Sequence, residues 1–219
     1  MRDIQRPSSP ANVFGWCGSR FEGGGVATLF ALDRQLGDIV RTTEQPIVGQ
    51  MRLTWWYEAL TRLDREPPPA QPLLQDLAVS VITRGVEGRA LAAMTEGWEI
   101  LLDDERRDTG ALVEVARRRG ATLFRAAGVL LGEDDRALDD AGTVWALADL
   151  AVNVSDAGVR DRARAAAIDL GRPAFATRWS GARVLGALAL DARAAMLRRG
   201  VANGPRRAAL TTRFRMIGR

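Results

Sequence analysis

Acidic side chains form three groups along the sequence, and their carboxylates are the side chains best suited to carry chemistry. Asp33 and Asp38 lie in FALDRQLGDIVR, the second group is DDERRD at 103–108, and the third is EDDRALDD at 133–140. Carboxylate oxygens are the hard ligands that Mg²⁺ prefers, and protein-bound magnesium in turn holds phosphate groups. The acids are therefore candidates for a magnesium and diphosphate site.

Other kinds of catalytic site are excluded by the composition. The chain of 219 residues contains no histidine and a single cysteine, Cys17. A Ser-His-Asp triad, a histidine-bound metal, a cysteine cluster and an internal disulfide are therefore impossible. All 31 basic residues are arginine, and 27 acidic residues reduce the net charge to +4. Any metal site in this chain must be built from aspartate and glutamate.

Helical patterns cover most of the chain, and strand-like alternation is weak. Hydrophobic residues make up 47% of the sequence, which is enough for a core. The predicted helices cover residues 26–43, 47–63, 71–83, 87–103, 108–131, 135–167 and 181–199, followed by a short basic helix at 200–219. A loose arm rich in Pro, Ser and Gly, residues 1–24, precedes them. We predict one all-α domain that spans 1–219.

The three acidic groups differ in where they lie relative to the predicted helices. The second and third groups fall at predicted helix ends, where acids cap backbone N–H groups and complement the helix dipole. Asp38 lies inside a helix, roughly opposite its apolar row. That row consists of Leu29, Leu32, Leu36, Ile39 and Val40. The face with Asp38 is either solvated or turned toward a cavity, where a carboxylate needs a metal, an arginine or a proton. The pattern leaves both alternatives open.

The stretch RLTWWYEAL, residues 52–60, places two tryptophans side by side on one helix. Trp55 and Trp56 point about 100° apart, so both can be buried only if the helix has neighbours on more than one side. Two roles are compatible with this pattern. The indoles either pack in the core or form the walls of a site for a long apolar ligand.

Two stretches together resemble the opening of the squalene/phytoene synthase family. These are LFALDRQLGDIV, residues 29–40, and EQPIVGQMRLTWWYEAL, residues 44–60. Family members show an alanine-rich helix that ends in a DDxxD-type motif, followed by a helix with Arg-Leu-x-x-Trp-Trp. The second stretch looks most like the divergent branch that includes mitochondrial complex I assembly factors and their bacterial relatives. The resemblance implies an all-α isoprenoid-synthase fold around a central cavity.

The resemblance also implies a chemistry. Active members join two prenyl diphosphates head to head, and Asp-rich motifs on two facing helices hold magnesium ions that bind the diphosphates and help them leave. Arginines grip the remaining phosphate oxygens. The first motif, DDIVD, corresponds here to residues 37–41, Gly-Asp-Ile-Val-Arg, in which only Asp38 keeps an acid. Asp33 precedes the motif and inherits no ligand role.

The second Asp-rich motif is expected on the helix at 143–166, near Asp149 and Asp156. Carried over in this way, the catalytic residues are Asp38, Asp149 and Asp156, and Asp38 and Asp156 are the metal ligands. The resemblance assigns substrate binding to five further residues. They are Arg34, Arg41, Arg52, Trp55 and Trp56.

The changes within the first motif weigh against a standard metal site. Arg41 stands where the family has an acid, and two like charges about 4 Å apart repel by about 4 kcal/mol at an effective dielectric of about 20. We therefore expect a divergent protein with impaired or absent condensation, which binds a prenyl or other lipid-like ligand or acts as an assembly factor. The alternative is an active, magnesium-dependent prenyltransferase with an atypical site. Whether the chain is an enzyme stays open, and magnesium is expected only if it is active.

The remaining expectations concern partners and location. No apolar run approaches the roughly 18–20 residues of a membrane span, and the N-terminus lacks the apolar core of a signal peptide. We expect a cytoplasmic protein, with peripheral contact to an inner membrane or to subunits of a membrane complex as an option. The basic terminus with Phe214 and Met216 suits an anionic membrane surface. Nucleic acid is not expected as a partner, because no recognition motif is present.

Overall fold

The computed structural model describes residues 24–103, 107–176, 179, 181 and 183–197. Within them the chain forms eight helices and no strand. They are α1 (Gly25–Thr42), α2 (Pro46–Arg62), α3 (Pro72–Ser80), α4 (Gly88–Ile100), α5 (Thr109–Ala116 and Thr122–Leu131, joined by the π-helical segment Arg117–Ala121), α6 (Ala137–Asn153), α7 (Ala157–Ala174) and α8 (Arg183–Leu197). The all-α prediction is confirmed.

Two predicted elements differ from the observed ones. The helix expected over 135–167 is two helices, because the chain leaves the α conformation at Val154 and begins α7 after Asp156. The Asp156 side chain accepts a hydrogen bond from the backbone N–H of Val159, which is an N-cap that starts a new helix. The helix expected over 71–83 ends at Ser80 and continues as a 3₁₀ turn, Ile82–Arg84.

Some of the sequence predictions fall beyond the described part of the chain. The arm at 1–24 lies outside it except for Gly24, and so does the basic helix at 200–219. The acidic group at 103–108 is described only at its ends. The extent of a single domain over 1–219 stays a prediction.

Helix α6 is central to the bundle. It packs against α5, α7 and α8, whereas α1 packs against α3, α4 and the second half of α5. Helix α2 lies on the outside and packs mainly against α4. None of the described helices is long and apolar enough to cross a membrane. The arrangement brings α1, α4, α5 and α6 together in the interior.

The buried face of α1 contains four of the five residues in the apolar row predicted from the sequence, and the fifth, Val40, is partly buried. Leu29, Leu32, Leu36 and Ile39 are fully buried. Asp33 lies on the same face and is buried with them. A carboxylate among leucines must be neutralised or hydrogen-bonded, and its partners come from α4 and α5.

Candidate functional site

A buried arginine from α5 binds the buried aspartate of α1. The Arg119 guanidinium donates from Nε to Asp33 Oδ1 at 2.7 Å and from Nη2 to Asp33 Oδ2 at 2.8 Å. Two parallel N–H···O contacts of this kind are the strongest and most directional form of an ion pair. Both residues are almost completely inaccessible to solvent.

A second carboxylate reaches the same guanidinium from α6. Asp149 Oδ2 lies 2.7 Å from Arg119 Nη2, and Asp149 Oδ1 accepts a hydrogen bond of 2.6 Å from the Asn153 amide. The Asp149 side chain is 28% exposed, so this end of the network touches solvent. Arg119 therefore joins one acid from α1 and one from α6, and the three charges sum to −1.

Two tryptophans complete the surroundings of the guanidinium. Arg119 Cζ lies 4.4 Å from the ring centroid of Trp98 and 5.0 Å from that of Trp145. The Trp98 indole N–H also donates to Asp33 Oδ1 at 3.2 Å. Among the described residues, Nη1 of Arg119 has no hydrogen-bond partner, so the aromatic rings provide much of its electrostatic environment.

The electrostatics of the network keep Arg119 charged. Burial lowers the pKa of its guanidinium, but the attraction of Asp33 and Asp149 and their hydrogen bonds outweigh this effect and raise the pKa above the ordinary value. The arginine is thus a permanent cation in the interior.

The backbone of α5 is shaped to place this arginine. Arg119 lies in the π-helical segment Arg117–Ala121, a rare conformation that is often found at functional sites. Its neighbour Gly120 faces Gly142 of α6 so closely that a Cβ on either glycine would overlap the carbonyl oxygen of the other. Glycine at both positions lets the two helices approach, and this approach brings Arg119 to Asp149.

Asp38 and Arg41, both predicted as site residues, pair with each other on the surface. Asp38 Oδ1 lies 2.6 Å from Arg41 Nη2, and the side chains are 51% and 39% exposed. Of the two alternatives left open by the sequence, the structure shows the solvated face for Asp38. The assignment of Asp38 to catalysis and metal binding has no geometric support from this placement and stays a prediction.

The other predicted residues lie in separate surroundings. Arg34 is exposed on α1, and Arg52 of α2 is exposed and donates to the Thr43 hydroxyl. Asp156 caps α7, and this backbone hydrogen bond is the main reason why its pKa is lowered. Of the predicted set, the structure brings Asp149 into the interior network, where it contacts Arg119, which also binds Asp33.

The adjacent tryptophans of α2 differ from each other. Trp56 is buried, Trp55 is 44% exposed, and their rings meet edge to face at 5.4 Å. Trp55 lines a groove of about 160 Å³ formed by the end of α2 and the proline-rich connector. The groove is lined by Trp55, Ala59, Arg62, Leu63, Glu66, Pro67 and Pro69. Trp56 thus has the core-packing role, and the role of Trp55 in binding a long apolar ligand stays a prediction.

Magnesium, which the family resemblance implies, does not fit the carboxylates in this arrangement. No group of three possible ligand side chains occurs in the described ranges. The acids on the facing helices already pair with arginines, Asp38 with Arg41 and Asp149 with Arg119. At position 37, where the resemblance places the family's first acid, a Cβ would lie 2.9 Å from the Trp98 ring. Magnesium demands a near-ideal octahedron of oxygens, and these residues do not offer one.

An interior site with Asp33 and Arg119 was not predicted from the sequence, although the spacing of apolar residues around both positions indicates burial. Asp33 is four residues after Leu29 and three before Leu36, and Arg119 is four residues after Val115 and four before Leu123. Both are therefore charged residues at core positions of a helix. Motif comparison passed over Asp33, and Arg119 was part of an arginine run.

A comparison with known protein families gives a match that covers the helices of this site. A family model described as squalene/phytoene synthase matches residues 24–171, from the start of α1 into α7. Comparisons with curated proteins and with solved structures gave no significant match. Since the matched segment covers more than half of the 219 residues, the chain belongs to the squalene/phytoene synthase family.

Proposed function

We propose that this protein acts by binding an apolar partner and does not condense prenyl diphosphates. The observation that carries the proposal is an exposed apolar stripe on α2. Ile47, Met51 and Trp55 follow one another at four-residue spacing and are 61%, 67% and 44% exposed, with Val48 beside them. Contiguous exposed apolar surface on a folded protein marks an interaction site.

The stripe is opposite the face that holds α2 in the bundle. Leu53, Trp56 and Leu60 of that helix are buried against the core. At about 100° per residue, the stripe points away from them and into solvent. Within the described part of the chain the stripe lies on the surface and outside the core, which supports a partner as the explanation of its apolar character.

Binding of a prenyl or lipid-like ligand is one form of this proposal, and an assembly role is the other. Pockets for small-molecule ligands enclose about 300–1,000 Å³, and the groove beside Trp55 holds about 160 Å³. A linear stripe that runs along α2 into this groove suits an apolar protein surface better than an enclosed prenyl chain. The volume therefore favours the assembly role.

The first experiment tests for condensation. Purified protein is incubated with magnesium and labelled farnesyl or geranylgeranyl diphosphate, and condensed products are separated and counted. We expect none. A product that depends on magnesium and disappears in Asp38→Ala or Asp149→Asn would overturn the proposal in favour of the alternative, an active prenyltransferase with an atypical site.

The second experiment tests binding. A photo-crosslinking residue replaces Met51 on the stripe or Val79 on α3, which is also exposed. In cells, we expect a discrete cross-linked protein from position 51 but not from the control position 79. The cross-link at position 51 should disappear when Trp55→Ser is added. Saturable binding of geranylgeranyl diphosphate that Trp55→Ser weakens would support the ligand form. If neither a cross-linked protein nor ligand binding is observed, a binding role for this face is refuted.

A further inference from the structure

We propose that Arg119 is a resident cation that takes the place of a divalent metal between α1 and α6. The guanidinium lies where a carboxylate from each of these helices converges, Asp33 and Asp149, with three nitrogen–oxygen contacts of 2.7–2.8 Å. The resemblance implies that magnesium ions bridge acids of facing helices in active family members. In this chain the side chain of Arg119 bridges two such acids, although Asp33 lies about one turn before the motif position on α1. The inference holds whether or not the protein binds a partner through α2.

The hydrogen bonds around the guanidinium leave no carboxylate oxygen without a donor. Asp33 Oδ1 accepts from Arg119 Nε and Trp98 Nε1, and Asp33 Oδ2 accepts from Arg119 Nη2. Asp149 Oδ2 contacts Arg119 Nη2, and Asp149 Oδ1 accepts from Asn153. A magnesium ion binds oxygens at about 2.0–2.1 Å, so it would have to displace the guanidinium to reach both acids.

The guanidinium is held against such displacement from two sides. The rings of Trp98 and Trp145 lie against it at 4.4 and 5.0 Å. Its backbone is fixed by the contact of Gly120 with Gly142, which leaves no space for even a Cβ. A tethered cation loses no translational freedom on entering its site, because it is already part of the folded chain, so we infer that divalent ions do not displace it in the natural protein.

The test removes the cation and asks whether the two acids accept a metal. Arg119→Met keeps an unbranched apolar stem, which is shorter than arginine, and removes the charge. The matched control is Arg125→Met, since Arg125 is also on α5 and pairs with Asp139 of α6, but on the surface. Thermal unfolding is followed with and without Mg²⁺ or Mn²⁺, and bound Mn²⁺ is counted by electron paramagnetic resonance.

We expect the natural protein and Arg125→Met to show no metal-dependent change in Tm and no bound Mn²⁺. The Tm of Arg119→Met rises by about 3–6 °C at a metal concentration about ten times Kd, and the added substitution Asp33→Asn abolishes the rise. If Arg119→Met does not fold alone, divalent ions restore its refolding.

Two results would overturn the inference. One is stoichiometric Mn²⁺ binding by the natural protein that Asp149→Asn abolishes, because the metal would then bind beside Arg119. The other is an Arg119→Met variant that gains neither stability nor refolding from divalent ions. These results are read from metal binding and stability, whereas the proposed function is read from cross-linking and product formation, so failure here is distinguishable from failure of the proposed function.

Discussion

Replacing the buried acid of α1 should be far more damaging than replacing the exposed acid five residues later. Asp33→Asn and Asp38→Asn change one carboxylate to an amide on the same helix and alter side-chain volume very little. Asp33 is buried with Arg119, whereas the ion pair of Asp38 and Arg41 is 51% and 39% exposed. The pair of variants therefore isolates burial as the variable.

The expected magnitudes follow from these surroundings. Breaking a buried ion pair by removing one partner costs about 3–5 kcal/mol. Asp149 still contacts Arg119 in Asp33→Asn, so we expect the lower end, about 3 kcal/mol, or a fall in Tm of about 6–12 °C. The Asp38–Arg41 pair is spaced i, i+3 and screened by water, so Asp38→Asn should cost about 0.2–0.5 kcal/mol.

Urea unfolding of both variants and the natural protein measures the difference. Far-UV circular dichroism and tryptophan fluorescence must give coincident transitions, as two-state analysis requires. Added salt should shrink the small effect of Asp38→Asn and leave that of Asp33→Asn nearly unchanged, because buried charges are screened little. Equal losses in the two variants, or a larger loss for Asp38→Asn, would refute the argument that Arg119 depends on Asp33.

Two further predictions concern helix packing and capping. Gly120→Ala should cost about 1–3 kcal/mol in urea unfolding, because its methyl group meets the backbone of Gly142, whereas Gly110→Ala in the first turn of α5 should be neutral or stabilising. The hydrogen bond from Val159 chiefly holds the pKa of Asp156 below its ordinary value of 3.8. Thermal unfolding of the natural protein and of Asp156→Asn is therefore compared across pH. The natural protein should show extra stability above pH 3.8, and this extra stability should be lost as the pH falls through the lowered pKa of Asp156. A stability difference that is constant at all pH values would contradict the argument that the Asp156 carboxylate stabilises the start of α7.

The fold could be predicted from the sequence because its signals are local. The apolar row of α1 repeats every three or four residues, and Leu29, Leu32 and Leu36 are all buried as that period requires. The division of 135–167 into α6 and α7 was missed, since apolar periodicity continues on both sides of Val154 and the break depends on one capping side chain, Asp156. Local patterns fix helices better than they fix helix ends.

The interior site could be predicted only in part. That Asp33 and Arg119 occupy core positions is a matter of spacing along each helix. That they pair with each other is a matter of tertiary packing, since they are 86 residues apart in the chain. The run Arg117–Arg119 illustrates the difficulty, because Arg118 pairs with Glu96 and Glu114 in a partly exposed position and its neighbour is buried. Identical residue types in one run thus have opposite environments.

The changed motif position on α1 and the interior network are connected through the side chain of Trp98. Gly37 stands where the resemblance places the first acid of the family motif, and a Cβ there would lie 2.9 Å from the edge of the Trp98 ring. The same indole donates its N–H to Asp33 and lies against Arg119. A side chain at position 37 would require Trp98 to shift, and Trp98 contacts both Asp33 and Arg119. Position 37 of α1 and the buried Asp33–Arg119 pair are thus coupled through one indole ring, so a substitution at Gly37 should also affect the interior network.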